Sequence, residues 1–174
     1  MTQDMRKVSR QMDSQWALEV MHKAPYMTVS FVDAEGRAYG LPLSLASGDD
    51  VHWYFHGALE GKKLEAIEAH PEVCLTAVTR CTPTVGPMDG SFTLQYKSAI
   101  AQGKGELVTD ESEKVHALRL ICERFLPHHM DAFDQSVARS LGRTAVVRIT
   151  LTAPPTGKRK QYGADGKELK YGAM

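Results

Sequence analysis

The stretch "HGALEGKKLEAI", residues 56 to 67, is where this sequence most readily supports chemistry. His56 ends an aromatic run, Trp53-Tyr54-Phe55. Gly57 and Gly61 then flank a short turn, and Lys62 and Lys63 open a segment whose Leu64 and Ile67 are spaced for a helix. A helix N-terminus already carries about half a positive charge, so lysines in its first turn are disfavoured unless an anion sits there. Free amides of a glycine-containing turn, joined by lysine ammonium groups, make a phosphate cradle. Taken alone, the same residues also fit a strand-to-helix turn with solvated lysines. His56 likewise reads either as a hydrogen-bonding or capping side chain or as a ligand contact and proton donor.

Other chemistries find less support. The turn is not a Walker A loop: Gly57 to Gly61 leaves three intervening residues where four are needed, and Lys63 stands where Ser or Thr would bind magnesium. No G-x-S-x-G elbow is present. Cys74, Cys81 and Cys122 form an odd set without C-x-x-C spacing, which argues against a disulfide framework and against a zinc site. His128 and His129 are adjacent, about 100° apart on a helix, and do not make an i, i+4 metal pair, so no metal is expected. In "QYKSAI", Tyr96 and Ser98 share one strand face and Lys97 takes the other.

The elements that must position these residues follow from periodicity and turn chemistry. Asp13 caps a leading helix carrying Trp16, Val20 and Met21, which Pro25 stops. "YMTVSFV", "AYGLPLSLA" and "VHWYF", separated by "DAEGR" and "SGDD", read as a meander of antiparallel strands, with Pro42 marking an edge or a bulge. After the helix closed by Pro71 come the strand "EVCLTAVTR", a loop "CTPTVGPMDGS", and the long strand "FTLQYKSAIAQGKGELV", bent near Gly103 and Gly105. "DESEKVHALRLICERF" is an amphipathic helix with Val115, Leu118, Ile121, Cys122 and Phe125 on one face, capped by Thr109 or Asp110. A second helix is predicted within "PHHMDAFDQSVARSLG", and "TAVVRITLT" is the last strand.

About six strands with inserted helices predict a mainly β (α+β) fold, a small closed or half-closed antiparallel barrel. The absence of alternating βαβ units and of a G-x-G-x-x-G after a strand disfavours a Rossmann fold. Residues 1–153 are expected to form one domain with an N-terminal helix. Residues 154–174 are expected to be a polar, basic extension, mobile or laid across a partner subunit, with a possible hairpin turn at Asp165-Gly166. Charges balance at 21 basic against 21 acidic over 174 residues, which points to no nucleic-acid or membrane partner. The polar start and the lack of a long apolar run predict a soluble, cytoplasmic protein.

Two stretches, "LPLSLASGDDVHWYFHGALEGKKLEAIEAHPEVCLTAV" and "FTLQYKSAIAQGKGELVTDESEKVHALRLICERFLP", together resemble the pyridoxamine 5'-phosphate oxidase-like flavoproteins. Within that family the resemblance is to the group related to 5-nitroimidazole resistance (Nim) proteins. It rests on the pattern FH-[small]-A-x-x-G-x-K, on the helix-ending His70-Pro71 and on the later Y-x-S-A-I strand with its Gly-x-Gly bend. It implies a split β-barrel homodimer binding flavin mononucleotide (FMN), with the dinucleotide FAD the second choice, at the subunit interface. By the same resemblance, His56, Gly57, Gly61, Lys62 and Lys63 hold the flavin phosphate. Leu41, Pro42, Leu43 and Ser44 run beside the isoalloxazine ring, Tyr96, Lys97 and Ser98 approach the flavin, and Lys158 of Thr156-Gly157-Lys158 is a further phosphate or interface contact. The implied activity is reduction of a small aromatic or nitro compound at the expense of a reductant such as NAD(P)H, with His56 as the candidate catalytic residue. The alternatives are a non-catalytic flavin- or ligand-binding dimer and a split barrel carrying haem or a deazaflavin. The arginine-rich C-terminal motif expected of a true pyridoxamine phosphate oxidase is not found.

Overall fold

The computed structural model describes residues 5–86 and 92–171. It divides into two compact units; strands β5 (Glu72–Val85) and β6 (Phe92–Leu107) contribute residues to both.

The first unit comprises Met1–Pro25, Thr76–Ala101 and Pro154–Met174. A short strand β1 (Gln11–Met12) pairs antiparallel with β8 (Thr156–Lys160), and β8 pairs antiparallel with the first half of β6, Tyr96 opposite Lys160 and Ile100 opposite Thr156. Helix α1 (Ser14–Lys23) starts where the sequence placed it, because the Asp13 carboxylate accepts the Trp16 amide at 2.7 Å. Such a cap contributes about 1 kcal/mol. Buried Ala17, Val20 and Met21 mark its inner face.

The segment after Pro154 thus enters the sheet as β8. Gly157 makes this possible: a Cβ there would lie 2.6 Å from the Trp16 ring and 2.9 Å from the Met12 Cβ, so only glycine lets α1 and β1 close onto the strand. Farther on, Tyr162 bridges Glu168 around a turn with Gly166 at φ +74°, the expected hairpin. Glu168 receives Arg10 at 2.6 and 2.8 Å, and the Tyr171 amide donates to the Ser9 carbonyl at 2.9 Å.

The second unit, Tyr26–Leu75 and Gln102–Ala153, holds the larger core. Strands β2 (Met27–Val32) and β3 (Ala38–Leu43) form a hairpin, Met27 opposite Leu43, with β3 at the sheet edge as Pro42 requires. Strand β4 (His52–Gly57) pairs along its whole length with β7 (Ala145–Leu151), whose other neighbour is the second half of β6. Trp53, Tyr54 and Phe55 are all buried, which explains an aromatic run without alternation. Gly103 marks where pairing of β6 with β7 begins; its missing side chain leaves room for Ile149.

Helix α2 (Lys62–Ala69) lays Ile67 directly on Gly105. Helix α3 (Glu111–Phe125), capped by Asp110 through the Glu113 amide at 2.8 Å, buries Ala117, Leu118 and Ile121. The region predicted as a second helix is a 3-10 turn, Pro127–Ala132, running into α4 (Phe133–Ser140), with Phe133 buried in the α3 core. Of the loop predicted over residues 81–91, Cys81 to Val85 belong to β5, and residues 87–91 lie outside the described residues. A side-chain bond from Gln95 to Thr84 at 2.9 Å helps hold that exposed extension to β6.

Candidate functional site

The end of β4 and the start of α2 meet at the turn the sequence singled out. His56 is the first side chain beyond the buried aromatics and is solvent-exposed, while Gly57 closes the strand opposite Ala145. Gly61 is the N-cap of α2 with φ +120°, a conformation that favours glycine, and it gives the helix no side-chain cap. The first amides of α2 are therefore served by no side chain of their cap, which is the donor arrangement of an anion site.

Lys63 folds back over the strand end. A Cβ on Gly57 would lie 2.7 Å from the Lys63 Cε and 2.8 Å from its Nζ, so the bare glycine makes the space that the ammonium occupies. His56 senses the same charge: partial burial of its ring and, secondarily, the Lys63 ammonium hold its pKa below the ordinary histidine value. The imidazole is thus neutral near pH 7 and can donate from one nitrogen and accept at the other.

Lys62 faces elsewhere. Its Nζ lies 3.2 Å from the Asp33 carboxylate and 4.7 Å from the centre of the Tyr39 ring. Asp33 is 3% exposed. It accepts the Arg37 amide at 2.8 Å, the Glu35 amide at 3.2 Å and the Arg37 Nε at 3.0 Å. Desolvation alone would raise its pKa; the Arg37 amide, the Arg37 guanidinium and the Lys62 ammonium outweigh it and bring it to about 2. A charged carboxylate in the β2–β3 turn therefore ties down the first residue of α2. Asp33 and Tyr39 were not found from the sequence, and nothing in the spacing to Lys62 signals the pairing.

The other expected residues are placed as follows. Leu41, Pro42 and Leu43 lie on the edge strand β3, with Ser44 just beyond it, in the same unit as the turn. Tyr96, Lys97, Ser98 and Lys158 belong to the first unit, where Ser98 and Lys158 are cross-strand partners and the Lys158 ammonium lies 5.9 Å from the centre of the Tyr96 ring. The structure thus gathers His56, Gly57, Gly61 and Lys63 at one turn and Tyr96, Ser98 and Lys158 at one ladder. Among the described residues, no group of His, Cys, Asp or Glu is arranged to hold a metal ion. Among them also, no helix is long and apolar enough to cross a membrane.

A mainly antiparallel fold with inserted helices is that of a split-barrel protein, here with uncapped helix amides and a lysine gathered at one strand end. The model of the family described as pyridoxamine 5'-phosphate oxidase matches residues 13–158, and the chain belongs to that family. Among solved structures it is similar to a candidate 5-nitroimidazole antibiotic resistance protein from Bacteroides thetaiotaomicron, at 23% identity and TM-score 0.69, with 85% of each chain covered. The flavocytochrome Anf3 from Azotobacter vinelandii is similar at 18% identity and TM-score 0.79, covering 99% of this chain and 84% of that one. An FAD- and haem-binding protein from Mycobacterium smegmatis is similar at 17% identity and TM-score 0.76, covering 95% and 84%. No curated protein matches the chain.

Proposed function

We propose that this protein is a flavin-binding oxidoreductase of the cytoplasm. It would work as a homodimer and pass electrons from a reductant such as NAD(P)H to a small aromatic or nitro compound. The observation that carries the reading is the convergence of the Lys63 ammonium, the side-chain-free Gly57 and the glycine-capped start of α2 at one strand end. A flavin phosphate fits that donor set: it offers acceptors to backbone amides and a negative charge to the ammonium. The family and the flavin named in similar structures point the same way.

In this reading Gly57, Gly61 and Lys63 hold the FMN phosphate, and Lys62, tied to Asp33, fixes the helix that presents the amides. A bound flavin supplies the electron transfer itself, which is why no acid–base pair is needed elsewhere. His56, neutral near pH 7, holds a proton beside the cradle and can donate a hydrogen bond there. Leu41–Ser44, Tyr96, Lys97, Ser98 and Lys158 are proposed as further flavin contacts.

The test is the visible spectrum of the purified protein, followed by release and mass determination of any chromophore. Flavin bands with the mononucleotide mass are expected, and turnover with NADH or NADPH and a nitroaromatic acceptor tests the reductase step separately. The dinucleotide mass would replace FMN by FAD, and a haem Soret band would assign the cofactor named for two of the similar structures. A colourless protein that takes up no added flavin would refute the proposal.

A further inference from the structure

A cavity of about 400 Å³ opens beside His56 in the second unit, walled by α3, the 3-10 turn at Pro127–Ala132 and α4. Its apolar wall is part of a true core: Leu118, Ile121 and Phe133 are buried there against one another's helices. Its size lies toward the lower end of the range for small-molecule sites, roughly 300–1,000 Å³.

The charge of the walls decides what can enter. Among the described residues, no aspartate, glutamate, lysine or arginine lines the cavity; its titratable lining side chains are His56, Cys122 and, at the exposed rim, His129. Burial pushes the Cys122 thiol up, so it stays protonated at neutral pH, and the lowered pKa of His56 leaves that imidazole uncharged. An ion brought against the apolar wall of Leu118, Ile121 and Phe133 would lose hydration and find no carboxylate, ammonium or guanidinium there. Two of the three lining hydroxyls, those of Ser140 and Thr144, have committed protons. The Ser140 Oγ donates to the Ser136 carbonyl at 2.9 Å and the Thr144 Oγ1 donates to the Ser140 carbonyl at 2.8 Å. With their protons committed, both oxygens are left as acceptors.

We propose that this cavity binds an uncharged aromatic molecule of one or two rings carrying a hydroxyl or amino donor. The ring packs against Leu118, Ile121 and Phe133, and the donor is taken by the Ser140 and Thr144 hydroxyl oxygens. The site is chemically distinct from the lysine-bearing turn, and its occupancy does not depend on a cofactor there. His56 lines the cavity and also adjoins Gly57 and the Lys63 ammonium, so a bound molecule reaches the residue that borders the proposed phosphate site.

The test uses the full chain and three probes of similar size, 1-naphthol, 1-naphthoate and 1-naphthylmethylammonium, titrated calorimetrically near neutral pH. Saturable 1:1 binding of 1-naphthol is expected, with both ions weaker by roughly tenfold or more. Ser136 is an exposed position of α4 on the cavity lining, so substitutions there should leave the fold intact. Ser136→Trp should weaken 1-naphthol by roughly tenfold or more by occupying the space. Ser136→Asp should turn the preference toward the ammonium probe, and it decides the matter alone if the tryptophan variant does not fold. Equal binding of all three probes, no saturable binding of 1-naphthol, or 1-naphthol binding with a probe preference that Ser136→Asp leaves unchanged would overturn the proposal.

Discussion

Adding one methyl group at Gly57 and at Gly103 should have opposite consequences, because the two glycines are crowded by different kinds of atoms. At Gly57 the new Cβ meets only the end of Lys63, at 2.7 Å from Cε and 2.8 Å from Nζ. Ordinary carbon contacts lie at roughly 3.5–4.0 Å, so the ammonium must retreat by about 1 Å, which a flexible four-carbon stem can do. Stability of Gly57→Ala should stay within about 1 kcal/mol of the parent. The displaced ammonium, however, loses its place in the cradle. A charge-assisted hydrogen bond contributes about 1.5–3 kcal/mol, so FMN should bind roughly 10- to 100-fold more weakly. At Gly103 the Cβ would lie 2.6 Å from the Ile149 Cγ2 and 2.9 Å from the Thr150 carbonyl oxygen, and that oxygen belongs to the neighbouring strand β7. It cannot retreat without opening the β6–β7 ladder, and Gly103→Ala should lose about 1–3 kcal/mol of stability. Urea melts and flavin-fluorescence titrations of the two variants give both numbers. A Gly57→Ala protein that binds FMN like the parent would show that Lys63 does not serve the cradle, and one that loses as much stability as Gly103→Ala would show that the added methyl meets more than the flexible end of Lys63.

Lys62→Ala should lower stability by removing a partner of the nearly buried Asp33, whereas Lys63→Ala should leave the urea midpoint near the parent's and weaken FMN; equal effects of the two on FMN would contradict the division. His56, followed by NMR titration, should show a pKa below about 6.5 in the flavin-free protein and a rise when FMN or inorganic phosphate is added. Its folded pKa being the lower one, its contribution to stability is complete above about pH 6.5 and falls away as pH drops through the folded value. Asp33 and Glu168 are both held at about 2, Glu168 chiefly by its bond from Arg10. Since unfolded carboxyls titrate near roughly 4, their contribution is complete above that pH and is lost as pH falls toward about 2, so thermal melts should decline through this window. Glu168→Gln should flatten part of that decline.

Much of the fold was legible because local physics and tertiary packing agree along most of the chain. The Asp13 and Asp110 caps, the glycine-bearing turn after Asp33 and the buried run of β4 each announce one conformation. Strands β1 and β8 were not legible. "TGKRK" has no apolar alternation, and its place in the sheet is set by neighbours distant in sequence: β6, β1 and the Trp16 ring that needs Gly157 bare. The resemblance to family members drew notice to Thr156-Gly157-Lys158, but only packing shows that the glycine serves α1.

The lysine pair shows where reading along the chain stops. Adjacent residues on a helix point about 100° apart, so Lys62 and Lys63 cannot easily serve one small anion together, however alike they look in sequence. What separates them is Asp33, 29 positions before Lys62 and charged because three protein donors hold it below its ordinary pKa. That carboxylate takes Lys62 as a tether and fixes the start of α2 against the β2–β3 turn. Lys63 is then the ammonium left at Gly57 and His56. In the flavin-phosphate reading proposed above, the Lys62–Asp33 pair helps hold the start of α2 without the anion, and whatever ordering it supplies in advance lowers the cost of binding.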